Sequence, residues 1–263
     1  MTGKNIFAAA ISGLAILAGT ARADVTVSAA VSLKAALEKA QPELERSLGE
    51  KIIWNFGASG TLSGQIQQGA PVDLFISADR PTADKLVAAN AGDKATLTVI
   101  AGNSLVLVVP KANADSPASP KAFADLPKAK KVAVGEPKAV PAGAYAREVL
   151  TKLKLWDDLD KAGKLVTGES VAQVLALVQR GEVDAGVVYA TDAGGAADKV
   201  SVVATADPAM HSPIEYVSVV VTASKHKESA AKLQQLIEAP GAQATLKEFG
   251  FTAPPVPATA PGK

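Results

Sequence analysis

Residues 25–37 read VTVSAAVSLKAAL: a short apolar strand runs into a small, uncharged turn and then into a helix. The same arrangement recurs three more times along the chain. The further stretches are residues 52–66 (IIWNFGASGTLSGQI), 132–150 (VAVGEPKAVPAGAYAREVL) and 165–178 (LVTGESVAQVLALV). Strands that alternate with helices in this way predict α/β architecture, with a mainly parallel sheet covered by helices on both faces.

The turns that open these helices also indicate a function. A helix N-terminus points unpaired backbone N–H groups outward and carries a partial positive charge. Several such ends that converge on one point would bind an anion without any lysine or arginine. The repeated strand–turn–helix stretches therefore predict the capture of an oxyanion.

Two long apolar strands suggest how the chain is divided. They are SLVLVVP at residues 104–110 and YVSVVVT at residues 216–222, and they bracket the later strand–turn–helix stretches. The simplest topology has two lobes with two crossings, lobe 1 being residues 24–103 plus 218–252 and lobe 2 residues 104–217. A ligand would lie in the cleft between the lobes, beyond the carboxyl ends of the strands. One large doubly wound domain is the alternative, since chain length does not separate the two.

Both ends of the chain read as segments outside the fold. Residues 1–23 contain Lys4, an apolar run at 6–18 and the small-x-small sequence Ala21-Arg22-Ala23, which predicts a signal peptide cleaved after Ala23. An N-terminal membrane anchor is the alternative. Residues 253–263 are rich in proline without periodic apolar positions, and they predict a disordered tail.

The composition restricts the cellular compartment and the classes of partner that we expect. The chain has no cysteine, which fits an exported protein without disulfides or a lipid-anchoring cysteine, and we expect it in the bacterial periplasm. Its net charge is +1 and it has no block of Lys or Arg, which argues against nucleic acid or a membrane surface as partner. Isolated histidines and scattered carboxylates predict neither a metal cation site nor a cofactor. A small ligand is the expected partner.

Two serines stand at the turns. Ser32 precedes the helical residues of the first stretch, where a hydroxyl commonly serves as the N-cap. Ser59 lies in Gly57-Ala58-Ser59-Gly60-Thr61, whose glycines permit a close approach of backbone to an anion. Ala142 and Val171 occupy the corresponding turns of the later stretches, but they could offer only their amides, and spacing alone does not select them.

Several motifs together resemble a known family. They include VSAAVSL (27–33), GASGTL (57–62), GAPVDLFISAD (69–79), GNSLVLVVPK (102–111), AVGEPKAVPAGAYA (133–146), ALVQRGEVDAGVVYATDA (176–193) and FGFT (249–252). In this order they resemble the periplasmic molybdate-binding proteins of bacterial ABC importers, over nearly all of the chain after residue 23. The resemblance implies a two-lobed type II periplasmic binding protein fold. Each lobe would be a mixed, mainly parallel sheet flanked by helices, and two crossover strands would join the lobes.

The same resemblance implies the site and the partners. Molybdate or tungstate would be held by Ser32 and Ser59 through hydroxyl and amide, by Ala142 and Val171 through amides, and by the phenol of Tyr189. It implies a monomeric carrier without enzymatic activity that delivers its anion to a membrane permease and ATPase. Glu169, close to Val171, should point away from a dianion or cap the following helix. The sequence departs from the family in one respect, because a single Ser59 stands where a run of serines is common.

Two alternatives stay open. Within the binding proteins, the ligand could be sulfate, phosphate or an organic anion. From another class, a serine hydrolase could use Ser59, because GASGT is close to the G-x-S-x-G elbow and both His211 and His226 follow it. Thr61 in place of the last glycine, and the polar, loop-like surroundings of the histidines, argue against the hydrolase.

Overall fold

A computed structural model of the protein describes residues 24–254. The predicted signal peptide and residues 255–263 of the predicted tail lie outside this range. The strands are β1 (Val25–Ala30), β2 (Ile52–Gly57), β3 (Leu74–Ser77), β4 (Thr98–Gly102), β5 (Leu105–Pro110), β6 (Val132–Gly135), β7 (Leu165–Gly168), β8 (Ala185–Tyr189), β9 (Val200–Thr205) and β10 (Glu215–Val220).

The α-helices alternate with the strands as the sequence predicts. They are α1 (Lys34–Leu48), α2 (Ser59–Gln67), α3 (Arg80–Ala88), α4 (Pro141–Lys152), α5 (Trp156–Lys161), α6 (Val171–Gln179), α7 (Ala190–Gly194), α8 (Lys227–Glu238) and α9 (Pro240–Glu248). No helix within residues 24–254 is both long enough and apolar enough to cross a membrane.

The strands form two sheets of five that share one design. The first sheet has the order β2-β1-β3-β10-β4 and the second has the order β7-β6-β8-β5-β9. In each sheet the fourth strand, β10 or β5, comes from a crossing between the sheets and runs antiparallel to both neighbours. The other strands of each sheet point the same way, so both sheets are mixed and mainly parallel.

The two chain connections between the sheets differ in length. Only Asn103 and Ser104 separate β4 from β5, whereas residues 206–214 lead from β9 back to β10. The predicted boundary between residues 217 and 218 is wrong, because Val217 pairs with Ser77 inside the first sheet. The apolar run that begins at Tyr216 is uninterrupted, so the sequence does not indicate where the chain changes sheets.

Burial follows the strand order. All residues of β5, β6 and β8 in the second sheet are buried, and so are all of β3 in the first. In α1, the buried positions Leu37, Leu44 and Leu48 fall on one face, as a helix packed against a sheet requires. Each buried leucine stabilises the fold by about 1.5–3 kcal/mol relative to an exposed one.

Glu45 fastens the end of α1 to the start of β2. Its Oε1 accepts hydrogen bonds from the Ile52 amide at 3.0 Å and from Gln41 Nε2 at 2.9 Å, and its Oε2 accepts one from Lys51 Nζ at 3.0 Å. These bonds lower the pKa of Glu45 to about 2, and the bond from the Ile52 amide has the largest effect. The carboxylate therefore contributes stability that is present above its ordinary pKa of 4.5 and is lost as the pH falls towards 2.

We expect Glu45→Gln to lower the free energy of unfolding by about 1.5 kcal/mol at neutral pH, because a hydrogen-bonded charge is replaced by a neutral amide. The difference from wild type should shrink as the pH falls from 4.5 towards 2, where the wild-type carboxyl also becomes neutral. Urea unfolding at several pH values measures it, and Glu43→Gln on an exposed position of α1 is the control. A deficit that does not change with pH would contradict this role.

Candidate functional site

One small cavity brings the five predicted site residues together. Ser32, Ser59, Ala142, Val171 and Tyr189 all line it. Its volume is about 10 Å³, which is about the space that one water molecule needs. The remaining lining residues are small or apolar, and no lining residue carries a charge: Ala30, Val31, Gly57, Ala58, Ala78, Val140 and Pro141.

Both sheets contribute to this cavity through the carboxyl ends of parallel strands. In the first sheet, Ser32 follows β1 and Ser59 follows β2. In the second sheet, Val171 follows β7 and Tyr189 is the last residue of β8. Ala142 belongs to the helix that follows β6. The cavity is therefore where open α/β sheets commonly place a ligand.

Three of the five residues lie in first helical turns. Ser59 and Val171 are the first residues of α2 and α6, and Ala142 is the second residue of α4. Amides at these positions have no acceptor within their own helix. None of the three first turns contains an acidic residue, so the positive ends of the helix dipoles are not offset there.

A close backbone approach sets the position of Ala142. A Cβ atom added at Gly143 would lie 2.0 Å from the carbonyl oxygen of Gly135, the last residue of β6. The first turn of α4 therefore rests directly on the end of that strand, which only glycine at position 143 permits. This contact explains the glycine at position 143, next to Ala142, which lines the cavity.

Ser32 has a different local role from the one predicted. It lies in a single 3₁₀ turn (Val31–Leu33), and no side chain caps that turn or α1, so the N-cap prediction is wrong. Its hydroxyl instead lies 2.8 Å from the phenol oxygen of Tyr216. Asn103 Nδ2 donates to the same phenol oxygen at 3.2 Å. Tyr216 can therefore donate to Ser32 Oγ, which leaves the serine hydrogen free to point into the cavity.

Tyr216 and Asn103 are supporting residues that sequence reasoning missed. Asn103 Nδ2 also lies 2.9 Å from Thr191 Oγ1, so it links the crossing after β4 to α7. The available signal was a tyrosine in an otherwise apolar strand, because a buried phenol needs a hydrogen-bond partner. Nothing local in the sequence identifies Ser32 as that partner, 184 positions away.

The hydroxyls of Ser59 and Tyr189 meet at one backbone segment. Ser59 Oγ accepts from the Ala78 amide at 3.0 Å, which leaves its own hydrogen available. The Tyr189 hydroxyl donates to the Ala78 carbonyl over 3.5 Å, from the other sheet. Burial, with a smaller effect of nearby Tyr216, raises the pKa of Tyr189 well above its ordinary value. The phenol therefore keeps its proton and acts as a donor.

A family model for bacterial extracellular solute-binding proteins matches residues 25–252. The chain belongs to this family. It is 40% identical to the molybdate-binding protein ModA of Escherichia coli over 254 residues, 94% of this chain and 97% of that protein. It is 35% identical to ModA of Haemophilus influenzae over 236 residues, 89% of this chain and 91% of that protein.

A solved structure supports the fold. The periplasmic molybdate-binding protein of Azotobacter vinelandii matches with a TM-score of 0.76 and 24% identity, over 88% of this chain and 100% of that chain. The two-lobed type II periplasmic binding protein fold is thereby confirmed, and so is the resemblance to molybdate-binding proteins. The first lobe contains the first sheet and the second lobe contains the second.

Both the family of the chain and the positions of its histidines contradict the serine hydrolase hypothesis. The family binds solutes for ABC transporters and is not enzymatic. Neither histidine lines the cavity that holds Ser59. His211 Nδ1 lies 2.8 Å from the Ser212 carbonyl oxygen, and His226 Nδ1 lies 3.4 Å from Asp73 Oδ1. Glu169 is exposed and does not line the cavity, so its charge lies away from the site.

Asp192 lies close to Tyr189, which lines the cavity, and to Tyr216, which does not. Its Oδ2 atom is shut off from solvent and has no hydrogen-bond partner among residues 24–254. Burial raises the pKa of Asp192 to about 7, against the opposing effect of a backbone hydrogen bond at Tyr189. The negative charge of Asp192 in turn contributes to the raised pKa values of Tyr189 and Tyr216.

The raised pKa of Asp192 makes its ionised form a cost to stability. In the unfolded chain the group ionises near pH 3.8, whereas the folded protein keeps it protonated until about pH 7. Its unfavourable contribution therefore grows from pH 4 to pH 7 and stays constant above that. The largest possible cost is about 4 kcal/mol, since one pKa unit corresponds to about 1.4 kcal/mol.

We expect Asp192→Asn to stabilise the protein at pH 8, because the neutral amide keeps the size of the carboxyl group without its charge. The gain over wild type should be small near pH 4 and should grow up to pH 7. Urea unfolding from pH 4 to pH 8 measures the difference, with Asp198→Asn at an exposed position as the control. A gain that is the same at every pH would contradict the raised pKa.

Proposed function

We propose that this protein captures molybdate, or tungstate, in the periplasm and delivers it to an ABC importer. One observation carries the proposal: hydroxyl, phenol and first-turn amide donors from both lobes surround a single cavity whose lining bears no charge. The identity of 40% to the molybdate-binding protein of Escherichia coli supports the same ligand. Molybdate would be the cargo of the protein, not a cofactor.

The donors fit the protonation state of the anion. Molybdate is fully ionised at neutral pH, so its oxygens accept hydrogen bonds and donate none. Ser32 and Ser59 can each donate a hydroxyl hydrogen, and Tyr189 can donate its own by turning it from the Ala78 carbonyl to the anion. The amides of Ala142 and Val171 can only donate. Monohydrogen phosphate carries a proton that needs an acceptor, and a donor-only lining disfavours it.

Size would separate molybdate from sulfate. Sulfate is also a fully ionised tetrahedral dianion, so the charge and direction of the hydrogen bonds do not exclude it. A smaller ion cannot reach all donors of a rigid site at once, and each missing bond to a charged partner costs about 1.5–3 kcal/mol. A receptor for sulfate or another oxyanion is thus the alternative within this class.

Capture would be coupled to closure of the lobes. Because the first lobe supplies Ser32 and Ser59 and the second supplies Ala142, Val171 and Tyr189, a bound anion contacts all five only when the cleft is shut. Binding would therefore shift the population towards the closed form. The closed form of this monomeric carrier would be what a permease and its ATPase receive.

Calorimetry with molybdate, tungstate, sulfate and phosphate tests the ligand. We expect molybdate and tungstate to bind far more tightly than sulfate, because the larger ions reach all donors, and we expect phosphate to bind weakest for lack of an acceptor. Sulfate that binds as tightly as molybdate would refute the assignment of the ligand.

Ser59→Ala tests the donor set. Loss of a hydroxyl donor to an anionic oxygen should weaken molybdate binding by roughly 10- to 150-fold, the equivalent of about 1.5–3 kcal/mol. Ser63→Ala is the matched control, because Ser63 is a buried serine of the same helix that bonds Gln67 and does not line the cavity. Equal affinities for the two variants, measured by the same calorimetry, would remove Ser59 from the site.

A further inference from the structure

The two lobes make a backbone hydrogen bond next to the anion cavity. The amide of Gly60, in the first turn of α2, donates to the carbonyl oxygen of Ala139 at 2.9 Å. Gly60 belongs to the first lobe, and Ala139 lies in the loop 136–140 that joins β6 to α4 in the second lobe. The bond therefore crosses the cleft, one residue from Ser59 on one side and three from Ala142 on the other.

The contact leaves no room for a side chain at position 60. A Cβ atom there would lie 2.7 Å from both the Cα and the carbonyl oxygen of Ala139 and 3.0 Å from its carbonyl carbon. These are backbone atoms, so no side-chain rotation can relieve the overlap. Gly60 does not have a positive φ, so the need for glycine here is a need for space.

The loop that faces Gly60 is held in place by its own hydrogen bonds. The amides of Ala139 and Val140 donate to the Glu136 carbonyl at 3.1 and 2.8 Å, and the Glu136 amide donates to the Gly168 carbonyl at 2.9 Å. Because the loop is tied to the end of β7, it cannot move away from α2 without disturbing the second sheet. A Cβ atom at position 60 would therefore hold the lobes apart.

We infer that Gly60 is a positioning residue whose amide bonds to Ala139 when the cleft shuts and whose missing side chain sets how closely the two lobes approach. The inference rests on the proposed function, since it assigns to this contact the closure that binding requires. Gly60 has no side chain with which to contact the ligand. It acts by bringing Ser59 to its closed distance from Ala142 and Val171.

The expected kinetic consequence is specific. A side chain at position 60 destabilises the closed form and leaves the open form, in which the contact is absent, unchanged. The apparent affinity then falls with the closed population, while the initial encounter of the anion with the open cleft keeps its rate. The loss should therefore appear as faster dissociation.

Gly60→Ala tests the inference, and Gly64→Ala is its matched control. Both glycines lie in α2, but a Cβ atom at Gly64 meets nothing within 4 Å. Alanine has the higher helix propensity at either position, so neither change should lower the stability of the ligand-free protein to urea. Molybdate calorimetry, stopped-flow kinetics and small-angle X-ray scattering are measured for wild type and both variants.

We expect Gly60→Ala to raise the molybdate Kd by about tenfold or more, with faster dissociation, unchanged association and less compaction on binding than wild type. Gly64→Ala should behave as wild type. Equal Kd values and equal compaction for the two variants would overturn the inference. So would a ligand-free Gly60→Ala variant that unfolds at lower urea than wild type, because Gly60 would then matter within its own lobe.

Failure of the proposed function gives a different result. If wild-type protein binds molybdate and compacts, but Gly60→Ala does the same, only the role of Gly60 is refuted. If wild-type protein neither binds molybdate nor compacts on its addition, the proposed function is refuted and the closure role of Gly60 with it.

Discussion

The structure depends on bringing backbone amides with no intrahelical acceptor to one point from two separate sheets. The first turns of α2, α4 and α6 lie at the carboxyl ends of parallel strands, without acidic side chains to offset their dipoles. A dianion can be held there by fixed dipoles whose positions the sheets set, instead of by long cationic side chains that must be ordered on binding. The absence of charge in the lining follows from this design.

Small residues are the structural condition for such a site. Gly143 lets the first turn of α4 rest on the end of β6, and Gly60 lets α2 meet the loop at Ala139. Both contacts join backbone to backbone. In each case, main-chain packing therefore fixes the position of an adjacent amide donor. Hydroxyls complete the set, because Tyr216 can donate to Ser32 and the Ala78 amide donates to Ser59, which leaves the serine hydrogens for a ligand.

Much of this arrangement was accessible from the sequence, and what was missed is long-range. Local patterns predicted the strand–turn–helix units, and the resemblance selected Ala142 and Val171, whose side chains offer no chemistry. The N-cap prediction for Ser32 failed because its hydroxyl is bonded to Tyr216, which only the folded sheet brings near. The lobe boundary failed because an apolar strand looks the same in either sheet, so Val217 gave no sign of pairing with Ser77. Buried Asp192 depends on packing that no local motif encodes.

The fourth strand of the first sheet is the last of its strands in the chain, whereas the fourth strand of the second sheet is the first of its strands, and this difference affects the order in which the chain can fold. Every strand of the second sheet comes from the continuous segment β5 to β9, whereas β4 joins the first sheet only through β10, near the other end of the chain. The second sheet can therefore assemble from a nascent segment of moderate contact order. The first sheet must wait for residues 215–220 to emerge, with its edge strand unpaired until then. The strand β4, made before every strand of the second sheet, thus reaches its final pairing only after all of them have been made.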